Sequence, residues 1–275
     1  MKWPRLRTIV LVPLVLLVAA YLVGAVLFSR QDLTLAPLTD TPAAHTTLAV
    51  LGASGTAGDG ILEAALADPA VETIHVITRR TTVRMQAGEA AGKVKIWTHL
   101  DYLDYRPVHS ALADSSTVYW ALGTSSWGMD EETYGRIHVD FPVQFVKEWV
   151  SINAAPRLSF HYISSSDISA DSSMMWAREK VRAEQSLFAL ADGERVKVIA
   201  YRPDYIGPTD AEAQLSQKLL YGLFAPVGAA VKATAIGESM LEVSARLPQF
   251  SNADKLNTLS ILKYSDAYRL RQERP

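Results

Sequence analysis

Three glycines spaced three apart, Gly52, Gly55 and Gly58, with Ser54, Thr56 and Ala57 among them, carry the clearest chemistry in this chain. Residues without side chains let backbone N–H groups come close to a phosphate, and a helix that follows turns the positive end of its dipole toward the anion. The flanks supply that context. Leu48 to Leu51 is a run of four apolar residues that reads as a buried strand, and Ile61 to Ala67 reads as a helix ended by Asp68-Pro69. Strand, glycine turn and helix in this order form a site for the pyrophosphate of a dinucleotide. The plainer alternative is a tight turn whose glycines serve backbone geometry alone.

Other candidates follow at intervals that suit the same ligand. Arg79 and Arg80 come directly after the second apolar run, Thr73 to Thr78, where a dinucleotide fold faces the adenosine ribose. An acid there binds a 2′-hydroxyl and a base binds a 2′-phosphate, so two arginines and no Asp or Glu favour NADP(H) over NAD(H). Two solvated surface arginines are the competing reading. Asp101, beyond a third run at Val94 to Trp97, is placed either to contact the adenine amine or to cap its own loop. Leu122 and Gly123, at the end of the run Thr117 to Leu122, are placed to pass beneath the nicotinamide ribose, or are simply a strand end.

The elements that must position these residues alternate. A helix is expected over about Tyr134 to Val150, a fifth strand over Leu158 to Ile163, a helix over about Met174 to Leu190, and a sixth strand over Val196 to Tyr201. Strand–helix alternation predicts an α/β fold, a doubly wound and mostly parallel Rossmann sheet. The expected organisation is a membrane anchor at 1–30, a linker at 31–46 holding Pro37 and Pro42, and one dinucleotide-binding domain at 47–275. From about Thr209 the pattern is mixed and suits a small substrate-side lobe. Its apolar runs, Leu219 to Pro226 and Ile236 to Leu241, suit core packing first, then a pocket wall or a membrane-facing surface.

Composition excludes several classes. The 275 residues hold 27 basic and 29 acidic side chains, so no net field draws nucleic acid. No cysteine is present, which removes thiolate zinc sites, disulfides and thiol nucleophiles, and the six histidines show no ligand spacing. Thr8 to Phe28 is uncharged and matches the roughly 20 residues that a bilayer core needs. An uncleaved single-pass anchor is favoured over a cleaved signal peptide, because the apolar run is long and Gly24-Ala25 is a poor cleavage site. Lys2, Arg5 and Arg7 place the N-terminus in the cytoplasm and the domain outside it. A nicotinamide cofactor argues for the opposite side, and sidedness stays open.

The ordered set Gly52 to Gly58, Ala121-Leu122-Gly123-Thr124, His138-Val139-Asp140, Ile163-Ser164-Ser165, Lys180 with Glu184, and Arg202-Pro203 resembles an atypical short-chain dehydrogenase/reductase. The branch it is most similar to is that of the Tat-interacting-protein oxidoreductases, with NmrA-like proteins as cousins. The likeness runs from about Leu48 to Pro248, and Asn252 to Leu262 resembles the family's last helix. It implies that Ser164 or Ser165 orients a carbonyl and that Lys180 holds the nicotinamide ribose. The family's proton-donating tyrosine falls on Trp176, whose indole N–H does not titrate in a useful range. Taken by itself, Lys180 reads as a solvated lysine in the charged segment Arg178 to Arg182, with Glu184 one turn on as a partner worth about 0.3–0.5 kcal/mol. Two functions are implied: a membrane-tethered oxidoreductase that uses another proton donor, or a protein that binds NADP(H) without turning it over and acts through a protein partner.

Overall fold

Short apolar runs become strands where helices can cover both of their faces. The computed structural model describes residues 5–38, 46–211 and 213–273, with side chains from residue 11 onward. Its strands are β1 (Thr47–Leu51), β2 (Thr73–Thr78), β3 (Val94–Thr98), β4 (Thr117–Trp120), β5 (Leu158–Ile163), β6 (Val196–Arg202), β7 (Tyr205–Gly207), β8 (Ala230–Lys232) and β9 (Lys255–Asn257). Seven of them form one parallel sheet in the order β3-β2-β1-β4-β5-β6-β9, and β7 pairs with β8 apart from it. The chain starts this sheet at β1, builds outward to β3, then crosses back to β4. That reversal leaves a crevice at the carboxyl ends of β1 and β4, the place where open α/β sheets bind ligands.

The helices are α1 (Arg5–Ser29), α2 (Thr56–Ala67), α3 (Val83–Ala90), α4 (His109–Asp114), α5 (Glu131–Gly135), α6 (Phe141–Ile152), α7 (Met175–Ala189), α8 (Leu215–Phe224), α9 (Ala233–Ala245) and α10 (Thr258–Gln272). Alternate residues of β1 feed opposite layers, as a period of two requires. Leu48 and Val50 pack with Ile61 and Leu62 of α2 and Ile236 and Met240 of α9, while Ala49 and Leu51 join Phe145 and Trp149 of α6 on the other face. Each such large side chain removed from water contributes about 1.5–3 kcal/mol. Gly60 lets α2 meet α9 closely, since a Cβ there would strike the Ala233 backbone.

Helices α9 and α10 return to the main sheet, so β7, α8 and β8 form the part that stands beside it. Glu242, wholly buried on α9, accepts from Arg246 and from Arg271 of α10 at 2.7 Å each. Arg246 also donates to Ala36 O at 3.0 Å, which ties the irregular segment after α1 to the domain. Residues 39–45, within the expected linker, lie outside the described residues. Among the described residues, one stretch, Leu11–Ser29 in α1, is long and apolar enough to cross a membrane.

Two boundaries differ from the sequence reading. The segment read as the start of the last helix holds strand β9, too short for an alternating pattern to show, and α10 begins only at Thr258. The Asn257 side chain caps it by accepting from the Ser260 N–H at 2.9 Å. The helix expected at Tyr134 runs from Glu131 to Ile152 with a π turn at Arg136–Asp140 joining α5 to α6. Such turns re-aim side chains and are frequent at functional sites. Here the turn carries His138.

Candidate dinucleotide-binding site

The site begins where β1 ends. Gly52 adopts φ +83°, a left-handed conformation that favours glycine, and a Cβ on it would strike the backbone of Ala121. Gly58 sits so close behind it that its own Cβ would strike Gly52 O. The Gly55 N–H donates to Gly52 O at 2.9 Å and closes the turn. Gly55 then caps α2 without any side-chain hydrogen bond, so the N–H groups of Thr56, Ala57 and Gly58 in its first turn have no side-chain acceptor. Neighbouring backbone fills the cradle on one side, and the helix end faces open space on the other.

That space is a groove of about 520 Å³ walled by Gly52, Ser54, Gly55, Arg79, Arg80, Leu122 and Gly123, all named from the sequence, with Thr78, Tyr102 and Ala121. It continues past Ser54, Gly55 and Thr56 into a second hollow of about 310 Å³ beside Asp59, Thr82, Pro208 and Gln217. Arg79 and Arg80 are both exposed at the rim, and Arg80 donates to Ser54 O at 3.4 Å. Thr78 turns the chain there by donating to Arg80 O at 2.7 Å. Asp101 is exposed and caps its own loop, accepting from Leu103 N at 3.0 Å, while its neighbour Tyr102 forms the wall.

The Asp59 carboxylate, one turn into α2, is neutralised. Arg84 donates to both of its oxygens, at 2.7 and 3.1 Å, and Thr209 donates at 2.7 Å. The Asp59 hydrogen bond raises the Arg84 guanidinium above its ordinary value. This leaves Arg79 and Arg80 as the cations turned toward the groove.

The other end of the crevice is closed upon itself. Lys180 is buried, with its Nζ donating to Ile163 O at 2.8 Å and to the Tyr162 hydroxyl at 3.3 Å. Burial pushes it down to about 7, against the opposing charge of Glu184. The Glu184 carboxylate itself is taken by Arg202, with Arg202 Nε donating at 2.9 Å, so the sequence-based pairing with Lys180 gives way to this bidentate one. Tyr162 donates to His138 O at 3.1 Å, and burial holds its phenol well above the ordinary range. His138 lies under Gly123, where any Cβ would meet its ring at 2.7 Å, and stacks on Tyr134 with ring centroids 4.0 Å apart. Burial, then the Lys180 charge, pushes His138 down to about 3; burial, then Glu179, pushes Tyr134 up to about 12. The Ser164 Oγ is buried with no hydrogen-bond partner, and Ser165 is half-buried. Trp176, half-buried, stands one turn before Lys180 on α7, and Asp140 is exposed.

No family model matches the chain, and no curated protein matches it. Solved structures do. A 3-oxoacyl-(acyl-carrier protein) reductase from Brucella melitensis in complex with NAD superposes with a TM-score of 0.60 at 16% identity, over 82% of this chain and 98% of that one. A short-chain dehydrogenase/reductase from Saccharomyces cerevisiae gives 0.61 at 12% identity, over 78% and 96%. The UDP-glucuronic acid 4-epimerase of Bacillus cereus, in complex with UDP-glucuronic acid and NAD, gives 0.58 at 16% identity, over 77% of each chain. The fold is that of the short-chain dehydrogenases and epimerases. Within this fold the residues present fit a dinucleotide, because a cradle without side chains, an uncapped helix and a groove with cations on its rim meet at one place. Sequence reasoning missed Tyr102, Asp59 and Thr209, and met His138 only within the motif His138-Val139-Asp140, without a role of its own. Asp59 carried a signal through its position directly after Gly58.

Proposed function

We infer that this chain is a membrane-tethered NADP(H)-binding protein of the atypical short-chain dehydrogenase type, on the branch of the Tat-interacting-protein oxidoreductases. It holds the dinucleotide and lacks the family's proton donor. The observation that carries this reading is the uncapped first turn of α2 under a groove whose rim holds Arg79 and Arg80. The first turn and the Gly52–Gly58 backbone would hold the pyrophosphate, the two arginines a 2′-phosphate, and Leu122 and Gly123 the nicotinamide ribose. When bound, the cofactor supplies a centre that accepts or donates hydride. Trp176 offers no acid or base beside it, and Lys180 is spent on Ile163 O and Tyr162. A binding protein that senses the cofactor or assembles with a partner suits that arrangement.

One observation favours turnover. The orphaned Ser164 hydroxyl is a buried donor with no partner, as a group that orients a substrate carbonyl would be. The test is titration of the full chain in lipid nanodiscs with NADPH and NADH, followed by nicotinamide fluorescence. NADPH is expected to bind at least about tenfold more tightly, the value of one charge-assisted contact. Absence of binding by either cofactor overturns the reading. Steady oxidation of bound NADPH by carbonyl compounds in the native chain would establish the oxidoreductase instead.

A further inference from the structure

Helix α8 turns its apolar side outward. Leu215, Leu219, Leu220 and Leu223 are between 43% and 74% exposed, and no residue of the helix is buried. Its inner side is formed by Tyr221, packed on Gly207, and by the half-buried Gln217 at the edge of the second hollow. Four exposed leucines on three turns need a cover.

What lies beside them is α1. The Tyr21 hydroxyl donates to Leu223 O at 3.0 Å, Gly24 faces Val227, and the Phe28 ring fills the space where a Cβ on Gly228 would sit, 2.5 Å away. Thus the stretch of α1 from Tyr21 to Phe28, two turns or about 10 Å, packs against the C-terminal end of α8 and the turn after it. A bilayer core of about 30 Å takes about 20 residues of helix. Counted from Thr8, the first residue after Arg7, such a span reaches Leu27, and the apolar stretch in the structure ends at Ser29. The part of α1 that touches α8 is therefore part of the span, with no spare length to hold α8 clear of the lipid. The depth this gives α8 is that of a helix lying in the plane of the interface, about 5–10 Å into the headgroup and acyl boundary.

We propose that α8 lies in the membrane interface with its leucines in the acyl region, a second contact to the same bilayer that α1 spans. This rests on α1 being a retained anchor. The outer face of α8 then meets lipid while its inner face borders the dinucleotide groove, and the groove opens along the membrane surface.

The absence of cysteine makes a clean test possible. Single variants Leu219→Cys, Lys218→Cys on the polar side of α8, and Leu17→Cys in α1 are labelled with an environment-sensitive fluorophore. Each full-length protein is reconstituted in phosphatidylcholine vesicles with and without nitroxide-bearing lipid. The expected result is loss of fluorescence at positions 17 and 219 and none at 218. Quenching at 17, with 219 behaving as 218 does, overturns the proposal and leaves the anchor standing. No quenching at any position shows that the anchor reading itself has failed, and this proposal with it. Protection of position 219 in native membranes but not in pure lipid assigns the leucines to a protein partner and also overturns it.

Discussion

The two ends of the crevice are built in opposite ways. At the β1–α2 end the chain leaves donors open: Gly55 caps α2 with no side chain, and Arg79 and Arg80 project from the rim. At the β5–α7 end most strong groups are satisfied internally. Lys180 is held by Ile163 O and Tyr162, Tyr162 by His138 O, and Glu184 by Arg202, with the Ser164 hydroxyl and His138 Nδ1 among the buried groups left without a partner. Open donors at a helix end are tolerable in water and favourable beside an anion, whereas a buried ammonium is tolerable only with acceptors. The first end is therefore prepared for a ligand from outside, and the second is stable without one.

The largest effect should come from charging the open end. Gly55→Asp is sterically mild, since a Cβ at Gly55 meets only Gly52 O at 3.5 Å. It sets a carboxylate against the bound pyrophosphate, and NADPH affinity should fall by at least about 100-fold, or about 3 kcal/mol. Calorimetric titration with an unchanged melting temperature checks this. Unchanged affinity would mean that the cradle is not the phosphate site, and the contrast between the ends would collapse. Replacing Arg79 and Arg80 together by Ala tests the next step. The pair together should contribute what one charge-assisted guanidinium–phosphate contact is worth, about 1.5–3 kcal/mol, so NADPH should weaken about 10- to 100-fold. NADH should change by less than about threefold, because it offers no 2′-phosphate. Equal losses would show that the arginines read something common to both cofactors.

The open end was legible in the sequence and the closed end was not, for a physical reason. Gly52 to Gly58 act through contiguous backbone, and Arg79 and Arg80 through their place after a strand, so spacing alone assembles them. The closed end depends on groups 17 to 24 positions apart meeting in space. Nothing in Lys180-x-x-x-Glu184 shows that Arg202 takes the carboxylate and leaves the lysine to a carbonyl. His138 matters because a π turn drops its ring under Gly123. Asp101 and Tyr102 show the same limit at one-residue scale: loop position was readable, but which of two neighbours faces the groove was not. In α8 the period of the leucines predicts an amphipathic helix equally well whichever side is covered.

At the closed end the test reads stability rather than affinity. Burial holds Lys180 at about 7 in the folded chain, against 10.5 when unfolded. Between these values the unfolded chain binds more protons than the folded one, so stability should rise with pH across that window. Below pH 7 both states carry the proton and the burial penalty is fully present; near pH 10.5 it is gone. Lys180→Met keeps the buried stem and removes the titration. The wild type should gain melting temperature between pH 7 and about 9.5, at about 2–4 °C for each kcal/mol recovered, while the variant should stay flat. Stopping short of pH 10 keeps out the buried tyrosines, whose raised values work in the other direction. A variant that rises as steeply as the wild type would place the lysine in water, and the second end of the crevice would then be open like the first.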